Sequence, residues 1–227
     1  MSTLFDDYDE ELKRLTDKFG IHNLISIQML AGSDYWERLA RLSFFPKLFD
    51  GYRYHFLYEI QGLSSQIYFG ILNCFLFRDV ISTKPGRPNA FNHRYTFMIE
   101  STIHGIYSYW NRVGLVLNTY VRVPKDIKRT YFANTVPQLV LDYPELKDDR
   151  NFIWLCHVKQ AIENLERNEF AHNNSLIMQN FLPKEKGGGD FEQLLSMPEQ
   201  LLDHNKLIVD QVGNLVEFIE TLEILVK

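Results

Sequence analysis

Apolar residues recur along this chain at steps of three and four, and proline marks where the runs stop. The first long run covers about 52–81, with Phe56, Ile60, Leu63, Ile67, Ile71, Cys74, Phe77 and Ile81 along one face. A second covers about 90–121, with Tyr95, Met98, Thr102, Ile106, Val113 and Leu117 on its face and Trp110 on the flank. Proline inside a helix costs roughly 3 kcal/mol, so its absence from both runs is informative. Residues 82–89 between them hold two prolines and end in Asn89, a suitable N-cap, so the two helices should lie antiparallel. A third run starts near Asp148–Asp149, shows Trp154, Val158, Ile162 (or Ala161) and Leu165, and fades into the polar residues 171–175. A fourth is expected to begin with Pro198 in its first turn and to continue through Leu201, Ile208, Val212, Leu215, Ile219, Leu222 and Val226. A shorter helix is expected over 126–136.

These runs predict an all-α fold, an antiparallel bundle of four long helices with additional short ones. Residues 1–50 read as an N-terminal helical extension packed on a bundle that occupies 51–227. Hydrophobic residues make up 45% of the chain, with 17 Phe and 12 Tyr, enough to fill a large core. The segment 183–191 holds three consecutive glycines without the Gly-Lys-Ser/Thr ending of a phosphate loop, and reads as a mobile linker.

The net charge of −5 argues against a surface that grips nucleic acid everywhere, so any RNA site must be local or shared between chains. A basic cluster, Arg122, Lys125, Lys128 and Arg129, could steer a phosphate backbone, or could simply be solvated. Cys74 and Cys156 fall in apolar helical patterns and read as free, buried thiols of a reducing compartment. The first eleven residues are acidic and show no leader pattern. The most apolar stretch, 67–77, is shorter than the roughly 20 residues a bilayer requires. A cytoplasmic protein without membrane contact is the expectation.

The third run ends in Arg167-Asn168, three further residues and His172. Two other Arg…His spacings occur, Arg87 to His93 and Arg150 to His157, but only Arg167–His172 combines the shortest spacing, an adjacent Asn and a helix end. A five-residue step turns roughly 140° in an ideal helix, so the pair converges only where the helix loosens. This segment resembles the signature of the HEPN superfamily of higher eukaryote and prokaryote nucleotide-binding domains: Arg, four to six residues, then His, often with a polar residue after the Arg. The resemblance implies a helical bundle of at least four helices with the motif near the end of a late one. It also implies a metal-independent endoribonuclease built as a homodimer, with Arg167, Asn168 and His172 as its catalytic residues and an antitoxin or other regulatory protein as a possible partner. Asn173 follows the His, where certain toxin members carry a Tyr, so regulation at that position is not implied.

Glu100 and His104 share a face of the second helix, and Asn111 and Arg112 lie further along it. Glu100, His104 and Asn111 are candidates for substrate contact or for support of the motif. No cofactor or metal is expected. A ferritin-like di-metal site is a rival, since Glu169 and His172 have Glu-x-x-His spacing, but it needs a second such motif, and Glu100–His104 is one residue too long. The other rival is a non-catalytic helical module for binding or dimerisation. In the plainest alternative, Arg167 is a surface arginine and His172 is favoured only by the helix dipole.

Overall fold

A computed structural model describes residues 4–31, 35–42, 53–84, 86–165, 175–181 and 191–226. The fold is all-α. In chain order the helices are α1 Leu4–Phe19, α2 Leu24–Ala31, α3 Tyr35–Ala40, α4 Arg53–Arg78, α5 Ala90–Asn118, α6 Phe132–Asp142, α7 Arg150–Glu163, α8 Leu176–Phe181, α9 Phe191–Val209 and α10 Val212–Leu225. Short 3₁₀ turns occupy Ile127–Arg129 and Pro144–Asp148. The glycine linker, at 183–190, and the motif residues Arg167, Asn168 and His172 lie outside the described residues.

The two longest runs pair as their spacing predicts. Glu59 meets Arg112, Ile67 meets Gly105, Gly70 meets Thr102, and Ser82 meets Asn92, so position rises on α4 as it falls on α5. Asn89 caps α5: its Oδ1 accepts from the Phe91 and Asn92 amides, and the Asn92 side chain accepts from the Asn89 amide in return. Gly70 lets the pair approach closely, since a Cβ there would lie 2.1 Å from Thr102 Oγ1.

Apolar residues cover most sides of α4, and a helix of that kind is packed on several sides. Helices α1, α2, α5 and α9 surround it. By length and composition Phe56–Arg78 would suffice to cross a bilayer, but half of its apolar window is buried here, with Ile67, Ile71, Leu72, Cys74 and Phe75 in the core. Two buried polar residues on it, Ser64 and Asn73, hold neighbours. Ser64 Oγ accepts from the Leu24 amide at the start of α2, and Asn73 Oδ1 accepts from the Tyr8 hydroxyl of α1. Helix α3 packs on α10 through a bidentate pair between Arg38 and Glu220, at 2.9 and 2.6 Å.

The structure differs from the proline-based reading in two places. The helix expected over 126–136 is a 3₁₀ turn followed by α6, which continues past Pro137 to Asp142. The fourth run does not start at Pro198. Helix α9 begins at Phe191, holds Pro198 inside, and the run then breaks at Asp210–Gln211 before α10. Proline at 198 cannot bond the Leu194 carbonyl one turn back. The buried Tyr95 hydroxyl of α5 donates to that carbonyl instead, at 2.7 Å, and Arg78 donates to the Leu195 carbonyl, at 3.3 Å. The Tyr95 hydroxyl thus replaces the bond that proline removes. At the break, Trp154 Nε1 of α7 donates to Gln211 Oε1, and Phe152 meets Phe218, so the chain turns to lay α10 on α7. The third run is a 14-residue helix, with Asp149 accepting from the Asn151 and Phe152 amides as its cap.

At Gly114 α5 touches backbone. A Cβ there would lie 2.7 Å from the Phe132 amide nitrogen and 2.8 Å from Phe132 Cα. Alanine gains about 1 kcal/mol in helix propensity over glycine, but overpacking costs about 1–3 kcal/mol and the obstacle is main chain that cannot rotate away. Gly114→Ala should therefore lower stability by about 2 kcal/mol in urea unfolding. An unchanged or raised midpoint would show that α6 moves freely.

His204 on α9 is 7% exposed, and its Nδ1 has no hydrogen-bond partner among the described residues. Burial pushes its pKa down to about 4, with the nearby Asp203 charge opposing. The unfolded chain takes this proton near pH 6.5 while the folded chain waits until about pH 4. Stability should thus be lost as pH falls through that window, by about 3 kcal/mol from this group. His204→Gln should remove that share of the acid sensitivity. Parallel stability–pH curves for the two proteins would contradict it.

Candidate functional site

Glu100, His104, Tyr107 and Asn111 follow one another on α5 at steps of four, three and four, and so form a polar stripe along one face. Three hydrogen bonds along this stripe secure the ends of other helices. Glu100 Oε1 accepts from the Leu176 amide at 2.8 Å, placing a carboxylate at the N-terminus of α8. The Tyr107 hydroxyl donates to the Ile162 carbonyl at 2.8 Å, near the end of α7. Asn111 Oδ1 accepts from the Phe132 amide at 3.2 Å, at the start of α6. His104 is exposed between Glu100 and Tyr107.

The stripe bears on the motif through its neighbours. Leu165 is buried and follows Ile162, while Ser175 precedes Leu176. The chain therefore leaves α7 and enters α8 beside the same face of α5, and residues 166–174 connect those points in sequence. Of the residues suggested as support, Glu100 and Asn111 anchor helix ends, and Arg112 turns the other way to Glu59 of α4, at 2.5 Å.

Above Tyr107 the stripe opens into a cavity of about 330 Å³ between α5, α6 and α7. Its walls are Tyr107, Trp110, Asn111, Tyr131, Phe132, Ala133, Lys159, Ile162 and Glu163. Lys159 and Glu163 pair at 2.7 Å one turn apart on α7. Trp110 is 1% exposed and central to an aromatic cluster, with ring centroids 5.1 Å from Phe132, 5.3 Å from Tyr109 and 6.2 Å from Trp154. Periodicity placed Trp110 only on a helix flank and did not mark Tyr131 or Phe132, because this cavity forms between elements far apart in sequence. A larger, mostly apolar groove of about 700 Å³ lies between α1, α4 and α5, with Phe77, Phe91 and Phe97 in its walls.

The basic cluster is partly engaged. Lys125 Nζ donates to the Asn134 carbonyl at 3.0 Å, and the Arg122 guanidinium lies over the Tyr143 ring. Lys128 and Arg129 are exposed and form no ion pair with a described carboxylate. Of the other Arg…His spacings, Arg150 is taken by Glu217 at 2.7 Å. Burial raises the Cys74 and Cys156 thiols above their ordinary value, so neither is poised as a thiolate nucleophile. Cys156 is only half-buried, in contrast to the expectation, while Cys74 is fully enclosed. Among the described residues no three His, Cys, Asp or Glu side chains gather as metal ligands, and Glu169 and His172 lie outside those residues. Compared with family models, with curated proteins and with solved structures, the chain matches none.

Proposed function

We propose that this protein is a HEPN-like, metal-independent endoribonuclease that acts as a homodimer through Arg167, Asn168 and His172. The observation that supports it best is the pairing of the motif with an all-α fold in which the flanking helices α7 and α8 are both tied to one polar face of α5. His172 would take the proton from a ribose 2′-hydroxyl near neutral pH. That oxygen attacks the adjacent phosphorus, and the bond to the 5′-oxygen breaks. Arg167 offers a planar fork of donors to the charge that builds on the phosphorane oxygens. Asn168 would orient the phosphate or the imidazole. The products are a 2′,3′-cyclic phosphate and a 5′-hydroxyl. One Arg and one His per chain is sparse for this chemistry, and a second copy would double both. The cytoplasm and an RNA substrate fit this reading, and an antitoxin or other regulatory protein would restrain such an activity.

The test is incubation with total tRNA and mRNA in the presence of EDTA. Cleavage leaving cyclic phosphate ends supports the enzyme. Absence of cleavage under any condition, by protein that is folded and dimeric, favours the second reading, a non-catalytic binding or dimerisation module. The net charge of −5 and the structural use of Glu100 and Asn111 speak for that second reading.

A further inference from the structure

We propose that the loop between α5 and α6, residues 122–131, docks the protein on an anionic lipid surface. Val123 and Ile127 enter the headgroup layer, and Arg122, Lys128 and Arg129 lie against its phosphates. No residue of 166–174 takes part, so this contact is independent of RNA cleavage. It departs from the expectation of a protein without membrane contact, although it needs no spanning helix.

Val123 is 81% exposed and Ile127 62%. Single aliphatic residues in water are common and carry no meaning alone. These two belong to a larger apolar end of the molecule. The Arg122 amide donates to Asp142 Oδ2 at 2.8 Å, which brings the end of α6, with its exposed Leu141, to the loop. The Tyr120 hydroxyl donates to Glu223 Oε1 at 2.6 Å, which brings the end of α10, with its exposed Ile224. The loop and two helix ends thus leave aliphatic side chains in water at one end of the fold.

The loop is also held in shape. Asn118, buried at the end of α5, donates to the Lys125 carbonyl and accepts from the Lys125 amide, at 2.9 and 3.1 Å. Asp126 accepts from the Lys128 amide, the Thr130 hydroxyl donates to the Asp126 carbonyl, and Asn134 Nδ2 donates to the Arg129 carbonyl. Pro124 fixes one more backbone angle. Val123 and Ile127 cannot fold back without breaking such bonds, so little ordering remains to be done on contact.

Charge selects the partner. Residues 122–131 hold four cations, Arg122, Lys125, Lys128 and Arg129, against one carboxylate, Asp126. The whole chain carries −5, but charges beyond about 8 Å are largely screened at physiological salt, so the loop's own cations decide what it meets. A nucleic acid would answer the cations and leave Val123 and Ile127 in water, since aliphatic side chains offer no ring for a base to stack on. A protein partner would cover them, but lysine is depleted at such interfaces. An anionic bilayer answers both, with phosphates for the cations and an acyl boundary for the aliphatic tips. Exposed Tyr131 adds the apolar ring and polar tip suited to headgroup depth.

The experiment floats full-length protein with vesicles of phosphatidylcholine, alone or with about 30% phosphatidylserine, at about 0.15 M salt. Flotation with the serine lipid is expected, about tenfold or more above flotation with phosphatidylcholine alone. Val123→Asp combined with Ile127→Asp should weaken it about tenfold or more by abolishing insertion. Lys128→Gln combined with Arg129→Gln should weaken it about tenfold through charge alone. All four positions are exposed, so both variants should keep the parental circular dichroism. The proposal is overturned by no flotation up to about 1 mM lipid, by equal flotation on the two vesicles, or by flotation that either double variant leaves intact. Absence of flotation together with binding of a single-stranded RNA that Lys128→Gln/Arg129→Gln abolishes would assign the cations to nucleic acid instead.

Discussion

Replacing His172 by alanine should cut EDTA-resistant RNA cleavage by about 10²–10⁴-fold, the usual contribution of a positioned general base. Arg167→Ala should cost about 10²–10³-fold, because the charge on the phosphorane loses its planar donors. Arg167→Lys should recover little, since an ammonium provides a point charge and not a bidentate fork. Both alanine variants should keep the far-ultraviolet circular dichroism of the parent, because the core is built from other residues: α4, α5, α7 and α9 bury their own faces. In the parent, the rate should rise with pH as the imidazole loses its proton and becomes a base. A His172→Ala protein that cleaves RNA at the parental rate would end the nuclease reading.

Trp110→Ala should be the most destabilising of the single changes considered, at about 3–5 kcal/mol. The indole is 1% exposed and touches rings from three elements: Tyr109 beside it on α5, Phe132 on α6 and Trp154 on α7. Truncation would leave a void at the junction of those helices, and packing this dense closes only in part around such a void. For a domain of this size the unfolding temperature should fall by about 2–4 °C per kcal/mol. Trp110→Phe separates packing from hydrogen bonding. Trp110 Nε1 is buried without a partner among the described residues, and an orphaned donor of that kind costs about 1–3 kcal/mol. Phenylalanine forfeits some volume but removes the orphan, so its net effect should be well under half that of alanine. Equal losses for the two variants would mean that the indole nitrogen has a partner in solution.

The elements themselves were largely legible in the sequence. A three- and four-residue apolar period needs only the geometry of one helix to be read, and so α4, α5 and the starts of α5 and α7 lie where the pattern and the caps Asn89 and Asp149 put them. Proline misled wherever a remote group could substitute for the bond it removes. Tyr95 is 99 residues from Leu194, and no local rule contains that hydroxyl. The break at 210–211 was hidden for the same reason, because the apolar stripe runs through it and only Trp154, reaching across from α7, marks the turn.

Arg167, Asn168 and His172 were singled out by spacing together with the adjacent Asn and a helix end, and they lie outside the described residues; the shared face of Glu100 and His104 could be read from spacing alone. What those neighbours do could not. Glu100 and Asn111 look like free polar groups in the sequence, but each answers a backbone amide at the start of another helix.

The helical class and the antiparallel long pair were therefore fixed locally, because both depend on short-range periodicity and capping. Only packing settled where helices pass through proline, which polar side chains serve as anchors, and that rings of α5 and of the start of α6 meet a wall of α7 around one cavity. Those outcomes depend on groups dozens of residues apart meeting at hydrogen-bonding or van der Waals distance, which no local pattern encodes.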